Sequence, residues 1–484
     1  MQTDSAAGSP AGRQGRPPLR RYWRPAALGC WTAIWFAFLA RNGGVAWKFF
    51  IQGSLLLFTG HDGGSTKAAG LHLYASYPKL QIGPLAFAVA QVLRHLGPDG
   101  GIVTAELAMT AAGLFMLYAI ERIALTVRPE LALRPARLQR VMLAGGAVFM
   151  VAWAELAVEF GHLDDVIALL CAVLAVWAGI LRRPVLTGLC VGLAADAKPW
   201  ALIFLPLLLL AGGAGQAGWA GRPWAGRRKP AGTAAPGALG SLDATGPQDA
   251  LVRQDAAAPQ DAAGPLAAAG PQDAAGPRAA AGPPAAGALA GPALAVAVAA
   301  ATALVTIAAG WLPFYIADPG TIAAAHFTIT NLPDSALRAL GVHAARTPSW
   351  DRPAQAVAGC VLGTLVLLRR RWLGVILLAV GARIALDPAA HAYYTAGVMA
   401  GALLWDCVGA RRPFPLWSLL TLGALTVVPL LSADTALQGR FRLGLVVAFT
   451  LAILLMPARW CWQPAAGFAR QDGATTTPIM PGPV

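Results

Sequence analysis

Charge is what this 484-residue chain has least of. Only 12% of its residues are Asp, Glu, Lys or Arg and 57% are apolar, where a soluble domain carries about 25% and 45–50%. With a mean hydropathy of +0.57, this excludes a soluble globular enzyme. Lysine is scarcer still: Lys48, Lys67, Lys79, Lys198 and Lys229 are the only ones among 37 basic residues. The arginine bias, with abundant Ala and Gly, matches GC-rich coding and carries no mechanism. Six cysteines (30, 171, 190, 360, 407, 461) lie in or beside apolar stretches. Their spacing matches neither a zinc site nor a disulfide framework. The first 24 residues are polar and Arg-containing, which predicts an uncleaved first span rather than a signal peptide.

What is present is a series of apolar runs near the length of about 20 residues that crosses a bilayer. Spans are expected near 25–40, 101–127, 141–158 and 166–181, with a broken pair at 185–195 and 199–213. A second block follows at 293–316, 354–368, 372–388, 391–408, 415–433 and 442–458. The fold expected is an all-α polytopic bundle of about twelve passes. The net charge of +14 sorts by loop: Arg13 to Arg24, Arg128 to Arg140, Arg182–Arg183, Arg222 to Lys229, Arg369 to Arg371 and Arg411–Arg412 alternate with Asp62, Glu159 to Asp165, Asp318 to Arg352 and Asp434 to Arg442. The Arg-rich set reads as cytoplasmic, with both termini inside a plasma membrane. The basic residues then answer to topology, and no nucleic-acid partner is expected. The stretch 83–97 is too short for a full span and breaks the alternation if counted as one.

The domain order is a tail (1–24), a first membrane block (25–213) with a long outer loop (41–83), a linker (214–292), a second membrane block (293–460) and a tail (461–484). The linker repeats Pro-Gln-Asp-Ala at 247–250, 259–262 and 271–274 amid Ala-Gly-Pro filler. With almost no large apolar residue to bury, it reads as a disordered cytoplasmic connection.

Ionisable groups beside apolar helices are costly, about 2.5–3.5 kcal/mol each at the bilayer centre, so their positions are informative. Four places on the expected outer side stand out. The loop 41–83 holds Asp62, its only carboxylate, then Tyr74, Tyr77-Pro78 and Lys79; a solvated Gly-rich turn explains Asp62 equally well. Glu155, Glu159, His162, Asp164 and Asp165 cluster at the end of the third span. They suit a general base, a metal ligand set or a helix cap, and no acid-x-acid spacing favours the metal. At Asp196-Ala197-Lys198-Pro199 the proline breaks the helix, leaving either a buried Lys–Asp pair or a lysine offered to a phosphate. Last, Arg383 and Asp387 are four apart and can pair along one helix, followed by His391, Tyr393 and Tyr394, which also suit an aromatic belt.

At these four places the chain resembles the GT-C superfamily of membrane glycosyltransferases, and within it the polyprenyl-phosphate-mannose-dependent mannosyltransferases of glycosyltransferase family 87. The resemblance rests on Asp62 followed by Tyr77-Pro78, on Gly161-His162-Leu163-Asp164-Asp165, and on Gly192-Leu193-Ala194 before Lys198-Pro199. It covers most of the membrane portion and excludes the linker. It implies a GT-C-like fold, a polyprenyl-phosphate sugar donor and a lipid or glycan acceptor, in contact with membrane lipids and with no cofactor. Asp62 would be the base, with Asp164 and Asp165 as further catalytic acids. His162, Tyr74, Tyr77, Lys79, Lys198, Arg383, His391 and Tyr394 would bind substrate, the two lysines at the phosphate. The family often has an acid at the position of Gly70, ahead of Tyr74; this chain has glycine there. Two other classes fit the composition: a transporter or flippase of lipid-linked sugars, which also uses broken helices, and a non-catalytic membrane protein. An inverted repeat would mark the transporter, and none is visible.

Overall fold

The computed structural model describes residues 19–59, 69–97, 99–133, 135–214, 287–389, 392–410 and 412–456. Asp62, His391 and nearly all of the expected linker lie outside the described residues. Of the described residues 82% are helical and none is in a strand, the only ladder contact being an isolated bridge between Thr330 and Arg346. Among the described residues, five helices are long and apolar enough to cross a membrane: Ile102–Val127, Pro135–Glu159, Leu163–Ile180, Gly291–Ala317 and Thr435–Leu455. Shorter apolar helices accompany them, among them Trp47–Phe58, Pro184–Ala197, Pro199–Gly212 and Trp372–Leu386. The described residues belong almost wholly to one unit built from the two sides of the linker, Met1–Gly221 and Leu289–Val484.

The innermost helix is Leu163–Ile180, packed against Ile102–Val127, Pro184–Ala197 and the 3₁₀ segment Pro199–Gly212. Asp351–Leu368 packs on that same 3₁₀ segment and on Val375–Leu386, which in turn meets Thr395–Leu404. Small residues permit these approaches. A Cβ on Gly359 would lie 2.7 Å from the Cβ of Ile203, and one on Gly401 would lie 2.6 Å from the Leu377 backbone.

Two expectations need correction. The loop 41–83 contains a twelve-residue helix, Trp47–Phe58. Its apolar run is too short to cross a bilayer, so length alone hides it. Its buried face (Trp47, Phe50, Gly53, Ser54, Leu56) packs on Pro84–His95, and the Phe87 ring lies where a Cβ on Gly53 would stand. The last span begins at Thr435, not near 442. Asp434 caps it by accepting from the amides of Ala436 and Leu437, and Arg442, read as part of a loop, is a buried helix residue paired with Asp334 at 2.9 Å.

Arginine follows several helix ends, where a cation meets the negative end of the helix dipole. Two of them, Arg182 and Arg370, have φ of 55° and 58°, the left-handed region that glycine usually fills after a helix. Around Arg370 the amides of Arg370 and Arg371 bond back to Leu367 and Val366, the Schellman pattern. Arg370→Gly is expected to stabilise the fold by about 1 kcal/mol by removing this strain, read as a higher melting temperature in detergent; an unchanged or lower value would contradict the strain assignment.

Candidate functional site

The functional side chains are set by the ends of four helical segments. The helix Pro135–Ala154 runs into a π turn, Glu155–Glu159, and the chain reverses at Gly161, whose φ of +65° is open to glycine and strained for other residues. The reversal puts His162 at the cap of the next helix and Asp164 and Asp165, both buried, in its first turn. Asp164 Oδ1 accepts from the Asp165 amide at 2.9 Å, which is favourable at a helix N-terminus.

The second contribution comes from the proline break. Pro184–Ala197 ends in an extended Lys198 (φ −149°, ψ 116°) before Pro199 starts the 3₁₀ segment. The break turns Lys198 away from Asp196. Its ammonium pairs with Asp164 Oδ2 and lies 3.5 Å from Asp165 Oδ2. Of the two arrangements left open by the sequence, the lysine is in a buried pair, but with carboxylates more than thirty residues upstream. Asp196 instead faces Gly310, where a Cβ would come within 2.5 Å of its Oδ1.

Arg383, near the end of Val375–Leu386, completes the cluster. Its Nε is 3.4 Å from Asp387 Oδ2 and its Nη1 is 3.7 Å from Asp165 Oδ1. The guanidinium lies between two rings, 4.2 Å from Trp200 and 4.1 Å from Tyr394. Trp200 Nε1 donates to Asp165 Oδ1 at 2.8 Å, and Tyr393 stacks on His162 with ring centroids 3.9 Å apart. A small cavity of about 10 Å³, room for about one water, opens here, with Asp165, Trp200, Arg383, Tyr393 and Tyr394 in its wall. A second, also of about 10 Å³, shares Tyr394 and is lined by Ser335, Asp387, Thr395 and Arg442. A mostly apolar wall with a few convergent polar groups is the lining of a small-molecule site, while the volume here is well below about 300–1,000 Å³, the usual size of such sites.

Of the residues singled out from the sequence, the structure therefore brings together His162, Asp164, Asp165, Lys198, Arg383 and Tyr394. It does not bring Tyr74 there. Tyr74 is fully buried in a separate apolar cluster with Phe87, Trp311 and Phe314, and its hydroxyl donates to the Ile82 carbonyl at 2.7 Å. Tyr77 packs at the edge of that cluster. Lys79 is exposed, and among the described residues no hydrogen bond or ion pair joins it to the charged cluster. The segment still approaches the site's rim, because Gln81 accepts from Arg352 at 2.6 Å and Arg352 follows the buried Asp351. Trp200 is a wall residue that the sequence does not single out, and Asp387 and Tyr393, visible there as a helix pair and an aromatic belt, carry no substrate role in that reading. Trp200 follows the helix break directly, but an aromatic there also reads as lipid-facing, so only the fold reveals it.

Compared with known proteins, the chain matches no family model, no curated protein and no solved structure.

Proposed function

We propose that this chain is a membrane glycosyltransferase. It would move a hexose, mannose by the family resemblance, from a polyprenyl-phosphate donor to a lipid or cell-envelope glycan acceptor at the outer face of the plasma membrane. In this reading the bundle makes about twelve passes, with both termini cytoplasmic. The observation that carries the proposal is the cavity wall formed by Arg383 between Trp200 and Tyr394, beside the buried carboxylate of Asp165. Aromatic faces suit a sugar ring, and a planar guanidinium suits phosphate oxygens.

The chemistry is one displacement. The acceptor hydroxyl oxygen bonds to the anomeric carbon, and the bond from that carbon to the phosphate oxygen breaks. The electron pair leaves with polyprenyl phosphate, and the hydroxyl proton goes to a carboxylate base. Asp62 is the base we assign, in the loop that the resemblance makes catalytic. Arg383, and Lys198 behind Asp164, supply positive charge where the leaving phosphate develops negative charge. Asp165 has one oxygen committed to Trp200 and its other oxygen near His162 and Lys198, so it can orient an acceptor hydroxyl.

Arg383→Lys tests this assignment, because lysine keeps the charge but loses the planar fork and the stacking. Polyprenyl phosphate is expected to bind the purified variant about tenfold more weakly, equivalent to about 1.4 kcal/mol, with the melting transition retained. Unchanged affinity would remove Arg383 from the phosphate site.

A further inference from the structure

We infer that His162, Asp164 and Asp165 form a divalent-cation site beside the cavity that Asp165 lines. The three residues each offer one ligand atom, all within 4.8 Å of one another. His162 Nδ1 stands 3.5 Å from Asp164 Oδ1 and 3.5 Å from Asp165 Oδ2. That is too long for a hydrogen bond. It is close to the spacing of about 3.4 Å between two ligands at bonds of about 2.1 Å in tetrahedral coordination.

Two of these atoms have nothing else of the right kind to meet. Asp165 Oδ2 and His162 Nδ1 are both buried and lack a hydrogen-bond partner, and the Asp165 side chain is 3% exposed. The nearest cation to Asp165 Oδ2 is Lys198 Nζ at 3.5 Å, which is committed to the far oxygen of Asp164. Asp164 can therefore hold Lys198 through Oδ2 and an ion through Oδ1 at the same time, while Oδ1 also accepts the Asp165 amide.

The charge balance points the same way. With His162 neutral, as a metal ligand must be, the buried carboxylates Asp164, Asp165 and Asp387 face the two cations Lys198 and Arg383, one positive charge short, which a bound ion or a proton on His162 would supply. Adding the neighbouring Asp351 and Arg352 leaves the same deficit of one positive charge. Two carboxylates with one imidazole suit Mn²⁺ or Zn²⁺. Three protein ligands beside a cavity leave a coordination position for a ligand, as catalytic metal sites do. The site stands apart from the transferase reading. Only the ion's use there, neutralising a donor phosphate oxygen, rests on it.

The test is Mn²⁺ binding to the purified full-length chain, followed by electron paramagnetic resonance. One ion per chain is expected, with nitrogen modulation from the imidazole. His162→Gln should abolish that modulation, and Asp165→Asn, of nearly the same shape, should weaken binding at least tenfold. Wild-type protein that shows no saturable one-to-one binding would overturn the site, as would variants that bind like wild type with the nitrogen signal intact. Stoichiometric Mn²⁺ binding without any sugar transfer would leave the site standing and count against the transferase alone.

Discussion

Lys198→Met is expected to destabilise the protein by about 3–5 kcal/mol, the cost of leaving a buried charge without its partner. The magnitude follows from the surroundings. Asp164 is wholly buried and its Oδ2 has Lys198 as its ion-pair partner, while Asp165 keeps the Trp200 hydrogen bond and the longer contacts to Arg383 and His162. The effect should be read as a lowered melting temperature in detergent. The pairing also predicts a recovery: Asp164→Asn combined with Lys198→Met should cost clearly less than the sum of the single changes, because each removes what the other leaves unpaired. Additive losses would mean that the pair is not coupled.

Asp62→Asn is expected to lower sugar transfer by about 10²–10⁴-fold, the usual worth of a positioned general base, with the melting temperature unchanged. The contrast with Asp164 separates chemistry from architecture. Asp164 has one oxygen given to the Asp165 amide and the other to Lys198, so Asp164→Asn should lower stability and activity together. Retained transfer in Asp62→Asn would move the base elsewhere, and Asp165, with an oxygen free of hydrogen bonds, is the next residue to substitute.

The long apolar runs were readable because hydrophobic length answers to one constraint, the bilayer. Leu163–Ile180 and Ile102–Val127 fall within a few residues of the runs that predict them. Short or charged helices escape that rule. Trp47–Phe58 is below spanning length, and Thr435–Leu455 tolerates Arg442 because Asp334, 108 residues away, neutralises it. The site divides in the same manner. The Arg383–Asp387 pair is a same-face spacing visible in the sequence and present in the structure. Lys198 illustrates the opposite case: its near neighbour Asp196 suggests a local pair, but the proline break aims the side chain at Asp164. Tyr74 carries the resemblance to a binding segment, yet its hydroxyl and ring are used for packing. The ligand spacing of His162, Asp164 and Asp165 depends on the left-handed Gly161 turn, and residue order alone does not give it.

The central claim is sugar transfer at the charged end of the bundle. Its most direct test is to incubate the purified chain, reconstituted in liposomes, with polyprenyl-phosphate [¹⁴C]mannose and an extract of cell-envelope lipids and glycans. Our account predicts label appearing in an acceptor with wild-type protein and falling to background with Asp62→Asn. Label that stays entirely in the donor, with folded wild-type protein and other polyprenyl-phosphate hexoses also inert, would contradict it.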